Sequence, residues 1–255
     1  TEEKKNSFLE KIKHFENSFQ DDYIVNLNTI FQNSGFIIDI DDSVENPIFI
    51  KNEISEDATI FAKNFFKIDN KNITIIEKFN AKKKSNANII NYFDIDKNSK
   101  VKHLIIQNNE INANLQFTNY INCFENSQYK QVIFNTSQSS IRNHSYANLL
   151  GSSSIVELKG VFFATNDQIS DNKTVVNHMK PFCESNQICK GILDKNARAS
   201  YLSKTFVDKI AQKTEAYQLS KGILLSENSH FHSKPELRIF ADDVKCSHGS
   251  TIGPF

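Results

Sequence analysis

Near the end of the chain the stretch "ADDVKCSHGSTIG" (residues 241–253) sets a thiol, Cys246, two positions from an imidazole, His248. Both groups bind metals, and either can act as nucleophile or base, so this pair is the first place to look for chemistry. In a strand, residues i and i+2 point the same way with α-carbons roughly 6.5–7 Å apart. Cys246 and His248 therefore share a face, and Ser247 points away from it. An iron–sulfur cluster or a structural zinc ion takes about four protein ligands, and two groups are too few. Either the pair is structural, or it completes a site whose other ligands come from another chain. Asp242 and Asp243 nearby suggest a Cys-His-Asp hydrolase. No oxyanion hole at a helix N-terminus accompanies them, and the two acids read better as residues that end a strand or hydrogen-bond a turn.

Other reactive residues are less suggestive. His178, Cys183 and Cys189 would make a His/Cys/Cys metal set. They contain no Cys-x-x-Cys pair, and free cysteine is commonly a small buried hydrophobe, so they read as structural. His230 and His232 in "HFH" precede Pro235 and read as a surface loop, and Cys123 has no context that points to a role. No P-loop or Gly-x-Gly-x-x-Gly occurs, so the chain is not expected to hydrolyse nucleotide itself. Its 21 Phe without any Trp read as core stacking.

The elements that must position these groups follow from composition and periodicity. The chain has 255 residues, with 30 Lys plus Arg balancing 30 Asp plus Glu, which gives no overall attraction to nucleic acid or anionic membrane. Four irregularly spaced cysteines and no signal peptide fit a reducing, cytoplasmic setting. No apolar run approaches the roughly 20 residues of a membrane helix. Phe8, Leu9, Ile12, Phe15 and Phe19 predict an amphipathic helix over about residues 2 to 20. Ile24, Leu27 and Phe31 predict a short second one. From Gly35 onward the period changes to two, in short runs such as "GFIIDI", "NITIIEKF", "KHLIIQ", "SIVELKGVFFA" and "AYQLSKGILL", which are strands. Only "TFVDKIAQK" has a helical character among them, so βαβ winding is not expected. Gly and Pro number 7 and 4, and no Asn-Gly or Asp-Gly hairpin signal occurs. The echo of "CKGILDKN" (189–196) in "SKGILLSEN" (220–228), offset by 31 residues, suggests stacked coils with Asn-rich turns. Periodicity by itself leaves solenoid and sandwich both open.

A resemblance narrows the choice. "KGIL", "AQKTEAYQ", "LLSE" and "KPELRIFADDVKCSHGSTIG" within residues 178–253, with "NITIIEKF" and "GFIIDIDDSVENPIFI" upstream, resemble the SufB/SufD family of SUF iron–sulfur cluster assembly subunits, on its SufD side. The resemblance implies an all-β, right-handed parallel β-helix over 35–255 behind a short N-terminal helical segment, 1–34. It also implies that the chain is truncated at both ends, without the family's C-terminal helical region. The function it implies is that of a non-catalytic scaffold that pairs with a SufB-like subunit through this end of the β-helix. His248 would lie near the interface where a nascent iron–sulfur cluster assembles beside a SufB cysteine, with Cys246 as auxiliary ligand or sulfur acceptor. No cofactor is expected on the isolated chain. ATP hydrolysis would belong to a SufC-like partner, whose docking region the truncated chain would lack, and a homodimer stays open. Two other classes remain: a β-helical enzyme acting on polysaccharide, which requires carboxylates clustered on one solvent face, and a dimerising remnant without cluster activity.

Overall fold

The computed structural model describes residues 22–40, 44–110 and 112–254. The helix expected over 2–20 lies outside the described residues. The second expected helix is α1, Tyr23–Phe31, capped at its start by Asp22, whose carboxylate accepts the Ile24 N–H at 3.0 Å. Sixteen strands follow: β1 (Ser34–Ile40), β2 (Ile48–Ile54), β3 (Thr59–Ile68), β4 (Asn72–Ala81), β5 (Asn86–Ile95), β6 (Lys100–Gln107), β7 (Asn114–Cys123), β8 (Gln128–Asn135), β9 (Ser140–Leu149), β10 (Ile155–Ala164), β11 (Ile169–His178), β12 (Glu184–Leu193), β13 (Arg198–Val207), β14 (Thr214–Leu224), β15 (His230–Ile239) and β16 (Val244–Pro254).

Odd-numbered strands form one eight-stranded sheet and even-numbered strands another, each in chain order. All the neighbours pair in parallel, with Asn114 opposite Ser140 and Arg198 opposite His230, offsets of 26 and 32 residues. Each coil thus contributes one strand to each sheet, and about eight coils stack into the parallel β-solenoid that the resemblance implied. The sequence echo is the stacking itself: Cys189 to Leu193 lie residue for residue on Ser220 to Leu224.

Side chains alternate between the interior and the outside, as in β12, where every second residue is buried. The core is built by repetition along the axis. Phe66 stacks on Phe93 at 4.4 Å inside the solenoid, and Tyr92, Tyr120 and Tyr146 form a second column on the outer face of the odd sheet, at 5.4 and 5.1 Å. The tight turns need a left-handed residue, and among the described residues eleven non-glycine residues supply one, five of them Asn (Asn70, Asn98, Asn112, Asn126 and Asn166). This is how the chain makes so many corners with few glycines. Amide ladders tie successive coils together, Asn126 donating to Asn98 at 2.8 Å and Asn177 to Asn148 at 2.8 Å. Gly151 is needed for a different reason: a Cβ there would meet the Glu125 backbone nitrogen at 1.9 Å.

Two expectations are corrected. "TFVDKIAQK" is the end of β13 followed by a turn, since Thr205 and Val207 point into the core of the last coils. "HFH" is the start of β15 and no loop. Pro235 is tolerated inside that strand because β15 is a sheet edge, paired with β13 alone.

Candidate functional site

Cys246 and His248 lie on β16, opposite Ala216 and Gln218 of β14. Those two are buried and point into the solenoid, so Cys246 and His248 share the inward-facing row, as their spacing predicts. Ser250 continues the row and accepts a hydrogen bond from Ser220 at 2.9 Å. Among the described residues β16 is the last strand of its sheet and pairs with β14 alone. Cys246 is half-buried against Val207, Ala211 and Ala241, while His248 is exposed. Burial pushes the Cys246 thiol up, countered in part by a backbone hydrogen bond from Ala216. At neutral pH it is a thiol, and binding a metal would require that it lose a proton.

Among the described residues no three His, Cys, Asp or Glu side chains converge on a common point for a metal ion. The end coil therefore offers one accessible imidazole and one partly covered thiol, a fraction of a coordination sphere. It also offers backbone. Among the described residues β15 and β16 each pair on one side only, and an edge strand is a template for pairing with another chain.

The remaining predicted residues are scattered. His178 is buried, its Nε2 2.8 Å from the Ser185 hydroxyl, and burial lowers it to about 3. Cys183 bonds Ser154 and the Gly151 carbonyl at 3.3 Å each. Cys189 belongs to a different cluster, around Phe162 and Tyr201. Cys123 and Cys189 are pushed up to about 12 by burial. All four cysteines are free. His230 and His232 point outward from β15. Asp242 and Asp243 sit in the turn before β16, where Asp243 pairs with Lys213 and its N–H bonds Gln212 at 2.9 Å, so they act as turn residues.

Sequence reasoning missed a polar network inside the solenoid. Glu77, fully buried, accepts from Asn52 and Asn91 at 2.9 Å each and lies 3.0 Å from His103 Nε2. The other nitrogen of His103 is 2.8 Å from the Tyr129 hydroxyl. A signal did exist: Glu77, His103 and Tyr129 are 26 residues apart in turn, close to one coil. A second network lies on the outer face of the odd sheet, where Arg142 joins Asp22 at 2.9 Å and His144 joins Asp171 at 3.0 Å. Asp171 is desolvated, yet bonds from His144 and Ser200 hold it down to about 2. Its role is to fasten the start of α1 to the sheet.

Residues 51–255 match the family model described as "SUF system FeS cluster assembly, SufBD core domain". The chain is 30% identical over 165 residues to an iron–sulfur cluster assembly SufBD family protein of Synechocystis sp., covering 65% of this chain and 36% of that one. It is 32% identical over 113 residues to the iron–sulfur cluster assembly protein SufD of Escherichia coli, covering 44% and 27%. It is 30% identical over 187 residues to the chloroplastic protein ABCI7 of Arabidopsis thaliana, covering 71% and 39%. The chain thus spans less than two fifths of the length of these relatives. With the matched region running through β2 to β16 and including both residues of the end coil, the chain belongs to the SufBD family of the SUF iron–sulfur cluster assembly system.

Proposed function

We propose that this chain is a non-catalytic scaffold subunit in iron–sulfur cluster assembly, docking a SufB-like subunit against its open end coil and contributing His248 to a ligand set shared across that interface. The observation that carries the reading is the exposure of His248 on a strand paired on one side only, in a chain of this family whose described residues supply too few ligands. The cluster is cargo, held in passing and completed by groups from the partner. His248 binds iron as the neutral imidazole. Cys246, protonated and half-covered, joins as ligand, or as acceptor of the outer sulfur of a donor persulfide that leaves as its thiolate, once the interface forms and a neighbouring base takes its proton. Energy for the cycle comes from a SufC-like ATPase.

The test is His248→Ala co-expressed with SufB-like and SufC-like partners. Cluster build-up, followed by its visible absorption, is expected to be lost while the complex still purifies intact. Wild-type cluster yield in the variant complex would refute the role of His248. Failure of wild-type chain to co-purify with any such partner would refute the scaffold itself.

A further inference from the structure

The outer face of the even-numbered sheet is unlike the rest of the surface. Phe49, Ile76, Leu104 and Val132 form one in-register row across β2, β4, β6 and β8. Phe134 and Val161 continue beside it, and Phe163, Ile192 and Ile223 extend the stripe across β10, β12 and β14. Phe134, Phe163 and Ile223 are 46%, 41% and 42% exposed, so the stripe is open to solvent along nearly the whole solenoid. A continuous apolar surface of this kind marks an interaction site.

Its rim carries an excess of positive charge. Nine lysines and four glutamates point outward from the eight even-numbered strands, in a chain whose formal net charge is zero. Lys51 lies directly opposite Lys78, and Lys190 directly opposite Lys221. Like charges facing each other across a ladder destabilise a sheet. Glu157 answers Lys130 and Lys159, and Glu215 answers Lys245. No carboxylate among the described residues pairs with Lys51, Lys78, Lys190 or Lys221.

The odd-numbered sheet shows what such a face accepts. There α1 lies across the strands, with Val25 packed among Phe65, Ile90 and Tyr92 and Asn28 bonding the Asn88 carbonyl at 2.7 Å. We infer that the outer face of the even-numbered sheet is a second docking surface, for an acidic amphipathic helix of a partner protein laid along the apolar stripe with its carboxylates on the lysine pairs. Strands about 4.8 Å apart make the stripe from β2 to β14 about 29 Å long, which an α-helix of about 20 residues covers. A second copy of this chain does not suit it, since two such faces would set lysine against lysine. The surface is separate from the end coil and does not depend on the cluster-site reading.

The probe is a synthetic helical peptide of about 20 residues with a leucine stripe flanked by Glu, compared with a twin flanked by Lys. Binding to the wild-type chain is read by fluorescence anisotropy at low salt. The Glu-flanked peptide should bind at least about tenfold more tightly than its twin, and the preference should be largely lost in Lys190→Glu/Lys221→Glu, which leaves seven lysines and six glutamates on the face. Phe134→Asp, at an exposed position, should weaken the Glu-flanked peptide by about tenfold or more with an unchanged circular dichroism spectrum. Equal binding of the two peptides to the wild-type chain would overturn the inference. So would capture only by anionic phosphatidylglycerol vesicles or single-stranded DNA, or a wild-type dimer that Phe134→Asp splits into monomers.

Discussion

His178 gives a quantitative handle on the interior of the solenoid. The imidazole is buried at the end of β11, in contact with the hydroxyls of Ser185 and Thr214 at 2.8 and 3.5 Å. Burial alone lowers it to about 3, against about 6.5 in an unfolded chain. Its folded-state value is depressed, so the stability it contributes is complete above pH 6.5 and is lost as pH falls from there toward 3. At pH 5 the unfolded ring is protonated while the folded ring is still neutral, and about 1.5 pH units at about 1.4 kcal/mol each remove about 2 kcal/mol. His144, also lowered by burial, acts in the same direction, so the comparison must isolate His178. His178→Gln keeps a donor for Ser185 and removes the titration. Urea unfolding followed by circular dichroism at pH 7.5 and 5.0 should show the wild type losing about 2 kcal/mol more than the variant. Asp171, held to about 2, does not interfere, because its contribution is lost only below its unfolded value of 3.8. An equal loss in both proteins would show that the ring is hydrated or already charged when folded, and would refute the reasoning.

Glu77→Leu strands His103, Asn52 and Asn91 together, and it is expected to cost about 3–5 kcal/mol. Glu77→Leu/His103→Leu should cost less than the two single changes summed, by at least about 1 kcal/mol, in a double-mutant cycle read by thermal unfolding; strict additivity would show that the pair is uncoupled. Phe182 holds a φ of 61° with its ring exposed, so Phe182→Asn should stabilise the chain by about 0.5–1 kcal/mol through relief of left-handed strain, measured by the urea midpoint.

The repeat was the most legible part of the fold. The echo between residues 189–193 and 220–224 is visible because both copies put Gly and aliphatic residues at stacked positions. Strands β7, β9 and β13 were harder to see. Their inward residues include Asn119, Asn143, Ser145 and Ser203, all buried, so the alternation of apolar and polar that announces a strand is blurred by amides and hydroxyls that bond inside the solenoid. Asn119, for example, donates to Gln131 of the opposite sheet at 2.7 Å. Spacing two residues apart was enough to place Cys246 and His248 on one face. It could not tell that the face is exposed at His248 and half-buried at Cys246, because that depends on the packing of Cys246 against Val207, Ala211 and Ala241, residues distant from it in the chain or on the preceding turn. The network around Glu77 stayed hidden for a similar reason: its members are neighbours only after the coil length is known.

Among the described residues each inner strand of the stack has two parallel neighbours, whereas β1 and β2 at one tip and β15 and β16 at the other have one. A linear stack of this kind loosens from its tips, where half the nearest-neighbour coupling is missing. Amide hydrogens of the two tip coils should therefore exchange before those of the middle, and any companion that pairs with β16 would slow exchange there, then progressively less through β14 and β12. Rigidity in this molecule is thus a property that a binder at one end can lengthen, coil by coil.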